Sequence, residues 1–312
     1  MVLGAGGVLG AAWTIGALSA LQEHAQWDPR EADVLGGTSA GSVLASFLGC
    51  GVGVDVLLDH QRGISNADAP DITYDPDRDG GGSRPPLPRP GIGSPRGVLS
   101  SAFHPRRVTP MGALAAVLPQ GRGSLDPLGK LVDAVCPSGA WAGHPQTLVV
   151  AMDYDSGRRV AFGHDAAPHA SLRAAVKASC SIPGWYAPIR IGERRYVDGG
   201  ACSPTSVDLV LGFDLDEVVV LAPTTSIDYD APSTVAARLE RRFRRLATKR
   251  LLVEVKKVSA TGTKVTLLTP GAEDLAAIGA NLMDPSRREQ VLETSLRTSL
   301  AALRAPALAA SA

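Results

Sequence analysis

Val34-Leu35-Gly36-Gly37-Thr38-Ser39-Ala40-Gly41-Ser42-Val43-Leu44 is the stretch that decides the fold. Two apolar residues run into a glycine turn, and beyond it Val43, Leu44, Phe47 and Leu48 recur at helical spacing. The segment therefore reads as a short strand, a tight turn and a buried helix. Upstream, Val2-Leu3 ends in Gly4-Ala5-Gly6-Gly7, and from Gly10 onward Leu18, Leu21 and Ala25, with Trp13 and Ala17 alongside, mark a second helix. Two strands separated by one helix form a parallel βαβ unit, which predicts an α/β fold with helices covering both faces of a sheet.

Downstream, the fully apolar run Thr147 to Met152 predicts a buried strand, and Ser156-Gly157 turns it back into Val160-Ala161-Phe162. A helix from about Ala170 to Ser179 stops at Ile182-Pro183-Gly184. The hairpin Ile189 to Val197, turning at Gly192-Glu193, leads directly into Asp198-Gly199-Gly200. Glu217 to Leu221 and Val265 to Leu268 read as further core strands, with helices near Pro232–Val253 and Pro285–Leu303. Between Pro70 and Gly97, seven prolines and six glycines in 28 residues cannot bury enough apolar surface to form an element. A loop or disordered insertion at about 66–100 is expected, either as a lid or as a tolerated surface excursion. With no internal repeat and no second core in the pattern, residues 1–312 read as a single domain.

Composition removes several function classes. Lys plus Arg and Asp plus Glu number 31 each, so the formal net charge is zero and no surplus of cations favours general nucleic-acid binding. The four cysteines, Cys50, Cys136, Cys180 and Cys202, show no metal spacing and are too few for a disulfide scaffold; they read as reduced thiols of a cytoplasmic protein. No basic n-region precedes an apolar run at the N-terminus and no stretch reaches the ~18 apolar residues of a membrane span. No metal or other cofactor is called for by any motif.

Gly37-Thr38-Ser39-Ala40-Gly41 fits G-x-S-x-G, a nucleophile elbow, in which small neighbours let a serine adopt a strained turn and expose its hydroxyl. The strand before it and the helix after it are the context the motif requires. The same residues would also serve a plain strand-to-helix turn. Gly4-Ala5-Gly6-Gly7-Val8-Leu9-Gly10 misses the dinucleotide pattern G-x-G-x-x-G because Leu9 stands at the last glycine. Its consecutive glycines suit a loop whose N–H groups hold an oxyanion, or simply a tight turn. A Ser-Asp-His triad is disfavoured: only 38 residues precede Ser39, and the six histidines lie in polar or loop-like contexts, with His164 and His169 the late candidates. Asp198 at a strand end, followed by Gly199-Gly200, is the remaining base, although D-G-G alone is a turn signal.

Taken together, these motifs resemble the patatin-like phospholipases, serine acyl hydrolases with a Ser–Asp dyad. The resemblance rests on Gly6-Gly7-Val8-Leu9-Gly10, on Gly37-Thr38-Ser39-Ala40-Gly41, on Ala178-Ser179-Cys180-Ser181-Ile182-Pro183 and on Val197-Asp198-Gly199-Gly200 with Ser203-Pro204. It implies a three-layer α/β/α fold with a central, mostly parallel sheet. It also implies Ser39 as nucleophile, Asp198 as base, Gly6, Gly7 and Val8 as oxyanion donors, and acyl lipids as substrates. A thioesterase or acyltransferase on the same dyad, or a non-catalytic lipid-binding protein on the same scaffold, are the alternatives. The family usually carries Arg or Lys in the first glycine loop where this chain has Leu9, so no cation is expected there.

One local feature bears on the lipid independently. From Arg238 to Arg250 seven basic residues stand against the single acid Glu240, while Val235, Leu239, Phe243 and Leu246 mark an apolar stripe on the same predicted helix. Such a helix either rests on an anionic membrane surface or packs its stripe on the sheet and leaves the arginines solvated.

Overall fold

The computed structural model describes residues 1–64, 86–104, 108–136, 139–228, 230–232 and 234–305. Its sheet is built outward from β1 (Val2–Leu3), which pairs in parallel with β2 (Leu35–Thr38) on one side and β7 (Glu217–Leu221) on the other. β8 (Lys264–Leu268) continues in parallel beyond β7, and β3 (Thr147–Asp153) lies parallel to β2. The antiparallel strands gather around β3: the hairpin partner β4 (Arg159–Phe162), then β6 (Arg194–Asp198), itself paired with β5 (Ile189–Ile191). This mostly parallel, mixed sheet with helices on both faces is the architecture expected from the sequence.

The register around β3 positions everything that follows. β2 pairs with Thr147 to Val150, β6 pairs with Ala151 to Asp153, and β4 pairs with Val149 to Met152. Since β4 overlaps both registers, it occupies one edge of β3 while β2 and β6 share the other, end to end. They run in opposite directions, so the last residue of β2, opposite Val150, and the last residue of β6, opposite Ala151, meet head on.

Strand alternation sorts the core into two sides. Leu3, Leu35, Val149, Ala151 and Leu221 face the main cluster with α1 (Gly7–Ala25), α2 (Ala40–Gly49), α3 (Val54–Arg62), α6 (Asp126–Val135) and α7 (Leu172–Ser179). On the reverse side, Val2, Val218 and Val220 pack on Leu251 and Val258 of α8 (Val235–Ser259), while Met152 and Val197 meet Ala115 of α5 (Pro110–Val117). α9 (Ala272–Ile278) and α10 (Arg288–Arg304) finish the described chain, with α10 packed along α1.

Two expectations are corrected. The Pro/Gly-rich segment at 66–100 is not loop throughout: α4 (Pro95–Phe103) begins there, because Ser94 accepts a hydrogen bond from the Gly97 N–H and Pro95 takes the first helical position, where its missing N–H costs nothing. Residues 65–85 lie outside the described residues. On α8 the reading in which the stripe packs on the sheet and the arginines are all solvated fails. Arg241 and Arg244 are buried, and the apolar residues Val235, Leu239, Phe243 and Leu246 face outward. Arg241 is held by Asp230, Glu240 and the Leu275 carbonyl, and Arg244 by Glu240 and the carbonyls of Pro223 and Thr225. Hydrophobic periodicity located the helix but not the side it buries, because tertiary partners for two guanidinium groups decide that.

Ser39, between β2 and α2, has φ +53° and ψ −124°, a conformation that costs a non-glycine residue about 1–3 kcal/mol. Ser39→Gly should therefore unfold at higher temperature than Ser39→Ala, by about 1 kcal/mol after glycine's extra chain entropy is subtracted. Equal melting temperatures would show that the elbow carries no strain. At Gly41 a Cβ would lie 2.1 Å from the Leu3 carbonyl oxygen, so Gly41→Ala should cost about 3 kcal/mol or more, measured by urea unfolding.

Candidate active site

The head-on strand ends bring Ser39 and Asp198 together, near enough that the Ser39 side chain pulls the Asp198 carboxyl pKa down against its burial. Although Ser39 occupies the N-cap of α2, its hydroxyl makes no capping bond there. Residues 179 to 181 tie the two strand ends to each other. The Ser39 N–H donates to Ser179 Oγ at 2.8 Å, and Ser179 Oγ donates to the Val150 carbonyl at 2.6 Å. The Asp198 N–H donates to the Ser181 carbonyl at 2.9 Å. Ser179 thus fixes the elbow from across the sheet, a role that motif reading did not single out. Its trace in the sequence is the segment Ala178 to Pro183, one of those that carry the resemblance.

Asp198 is 6% exposed. Burial pushes its carboxyl up to about 6, against the opposing pull of hydrogen bonds from Ser39 and from the Gly200 N–H, which donates to Oδ1 at 2.7 Å. Gly199 is there because a Cβ would sit 2.5 Å from the Val150 carbonyl oxygen, and Gly200 turns its N–H onto the carboxylate. Cys180 lies beside this pair, its thiol pushed up by burial and by the Asp198 charge.

The glycine loop approaches from the other side. Gly7 opens α1 with φ +59°, and the N–H groups of a first helical turn have no intrahelical acceptor. Gly7 and Val8 line a cavity together with Ser39 and Ala40, so the N-termini of α1 and α2 both open onto it, with the partial positive charge that helix starts carry. Gly6 lies one step back. A Cβ on it would be 2.6 Å from Gly10 Cα and 2.8 Å from Pro223, which makes close packing its reason for being glycine. Leu9, in place of the family's cation, is fully buried in the main core and does not line the cavity.

The remaining walls are apolar. Ile15 of α1, Val43 and Phe47 of α2, Leu57 of α3 and Leu128 of α6 line the cavity, with Ile182 and Tyr186 from the loop after α7. His60 also lines it from α3, a histidine that the sequence reading assigned to a polar or loop-like setting. His164 and His169, the late triad candidates, are exposed. Gly37 and Gly41 are where backbones cross, since a Cβ on Gly37 would be 2.3 Å from the Gly41 carbonyl oxygen. Thr38 and Ala40 flank Ser39 as the end of β2 and the start of α2. Among the described residues no group of three His, Cys, Asp or Glu is arranged to hold a metal ion.

A serine hydroxyl beside a buried carboxylate, next to N–H groups at two helix starts and an apolar cavity, can perform acyl transfer. The chain aligns with the crystal structure of VipD from Legionella pneumophila at 13% identity and a TM-score of 0.45, over 96% of this chain and 65% of that one. It therefore spans just under two thirds of the length of that structure. No curated protein matches the sequence. A family model described as Patatin-like phospholipase matches residues 1–211, a span that holds Gly6 to Val8, Ser39 and Asp198. With two thirds of its length under that model, the chain belongs to the patatin-like phospholipase family.

Proposed function

We propose that the protein is a lipid acyl hydrolase of phospholipase A, lysophospholipase or esterase type, working through a Ser39–Asp198 dyad. The observation that carries this reading is the Ser39 hydroxyl set beside the buried Asp198 carboxyl at the wall of an apolar cavity. Asp198 accepts the Ser39 proton as the hydroxyl oxygen attacks the acyl carbonyl. The N–H groups of Gly7 and Val8, with Gly6 behind them, receive the oxyanion; each such donor is worth about 3–4 kcal/mol in comparable sites. The alcohol leaves with the proton from Asp198, and water, deprotonated by the same carboxylate, releases the acid from Ser39. The apolar lining accommodates the acyl chain. Thioester hydrolysis or transfer to another acceptor would use the same acyl-enzyme, and a substrate screen separates them. A purely lipid-binding role is the weaker alternative, since nucleophile and base are both retained.

Among the described residues no helix is long and apolar enough to cross a membrane. A cytoplasmic setting remains part of the proposal, on the grounds of the thiols alone: all four cysteines are free.

Ser39→Ala should abolish labelling by a fluorophosphonate and all ester hydrolysis, and Asp198→Asn should slow turnover by about 10²–10⁴-fold, both in folded protein. Labelling that persists in Ser39→Ala would refute the nucleophile. Because only the ionised carboxylate is a base, kcat/KM for a soluble ester should rise through an apparent pKa near 6 and level off above it.

Stability should move the opposite way. A folded-state pKa raised from 3.8 to about 6 gives stabilisation that is complete below pH ~4 and is lost as pH rises through 6. The melting temperature of Asp198→Asn should therefore gain on that of the unaltered protein between pH 4 and pH 7. A constant difference over that range would mean that Asp198 titrates normally.

A further inference from the structure

The outward face of α8 carries a long exposed apolar stripe. Val235, Leu239, Phe243, Leu246 and Val253 are each about half exposed or more, reaching 81% at Val235. At about 100° per residue, Val235, Leu239, Leu246 and Val253 fall within an arc of about 40°. They form one stripe that runs about 27 Å along the helix at 1.5 Å per residue. Beside it, Arg238, Arg242, Lys249 and Lys256 are also exposed and fall in an adjoining arc about 40° wide.

The helix's two acids are withdrawn from this face. Glu240 is turned inward onto Arg241 and Arg244, and Glu254 is fully buried, accepting from Thr205 Oγ1 and the Val207 N–H and paired with Arg250. What remains outside on the helix is a lipophilic stripe flanked by a row of cations, with no exposed carboxylate among the residues of α8.

We infer that α8 is a peripheral docking helix for an anionic lipid surface, lying in the interface plane with its stripe among the acyl chains and its cationic row at the headgroups. The charge pattern selects this occupant. A second copy docking through the same face would bring no carboxylate of α8 to the cations. A soluble polyanion would satisfy the cations and leave the stripe in water. A surface of anionic headgroups over hydrocarbon satisfies both rows at once, and apolar area and cations then contribute together.

The two inward arginines are part of the device, because their ion pairs hold the helix in the orientation that exposes the stripe. The inference does not depend on the chemistry at Ser39, which follows the end of β2 and is separated by β1 from the β7–β8 region that α8 covers.

The test is flotation of the full chain with phosphatidylcholine vesicles made with and without phosphatidylglycerol, alongside hydrolysis of a short-chain soluble ester. The expected result is binding to the anionic vesicles at least about tenfold stronger than to neutral ones, weakened by added salt. Leu239→Ser/Leu246→Ser and Arg242→Gln/Lys249→Gln should each reduce that binding about tenfold while soluble-ester turnover stays unchanged.

Failure of the unaltered protein to float with either vesicle would overturn the inference. So would equal binding to both compositions, or binding by both double variants at the level of the unaltered protein. Concentration-dependent self-association that disappears in Leu239→Ser/Leu246→Ser would overturn it in favour of a second copy. Loss of soluble-ester turnover in the unaltered protein is a failure of the proposed function and leaves the vesicle result to be read by itself.

Discussion

Two strands of opposite direction ending against each other on one edge of β3 are the constraint from which the site follows. Parallel β2 ends at Thr38 opposite Val150 and hands the chain to Ser39, while antiparallel β6 ends at Asp198 opposite Ala151, so adjoining strand ends become neighbouring reactive groups. No loop has to be ordered to bring them together. A serine and a carboxylate placed on mobile loops would pay side-chain and backbone entropy at each encounter, whereas here the sheet's hydrogen bonds have already fixed both main chains. The cost appears elsewhere, as the positive φ of Ser39 and as a carboxyl buried where its charge is disfavoured.

Burying Asp198 is tolerable because donors meet it: the Ser39 hydroxyl and the Gly200 N–H. The loops that border the glycine turn are anchored in turn by the C-terminal third of the chain. Pro223, which packs on Gly6 and Gly10, has its carbonyl held by Arg244 Nη1 at 2.6 Å. Pro204 accepts the Ala5 N–H, and the residues just after it, Thr205 and Val207, are bonded to Glu254. α8 therefore grips both flanks of the proposed oxyanion loop with charges that are buried only because each has its partners. Buried ion pairs of this kind contribute little net stability but strongly penalise any arrangement that separates them, which suits them to fixing a loop's position.

Much of this was legible in the sequence because backbone crossings leave glycines and sheet interiors leave apolar runs. Gly37, Gly41 and Gly199 each stand where a Cβ would collide with main chain, and the strands at Thr147, Glu217 and Val265 begin within a residue or so of where their apolar runs begin. Several short helices were not legible, although α2 and α7 were. α3, α5, α6 and α9 are seven to ten residues long and owe their form to packing more than to period. α4 was hidden by the prolines around it, although Ser94-Pro95 was a readable cap. The burial of Arg241 and Arg244 could not be read at all, since it depends on carbonyls at Pro223, Thr225 and Leu275 that are brought near only by the fold.

The substitution of Leu9 for the family's cation gains a physical meaning from the same contacts. With Leu9 turned into the core, positive potential at the proposed oxyanion site must come from the N-termini of α1 and α2 and from N–H groups that the sheet and α8 hold in place. Fixed dipoles stabilise a developing charge only so far as they cannot swing away from it, so a loop without a cation depends more heavily on its rigidity. That rigidity is visible at each step: Gly4 donates to Leu221, Ala5 to Pro204, Leu9 to Leu282, and Gly6 sits against Gly10 with no space for a Cβ. A flexible arginine would have tolerated some movement of the loop. A row of backbone amides does not, and the dense anchoring of residues 4 to 10 by the segments around Pro204, Pro223 and Leu282 is the structural answer to that demand.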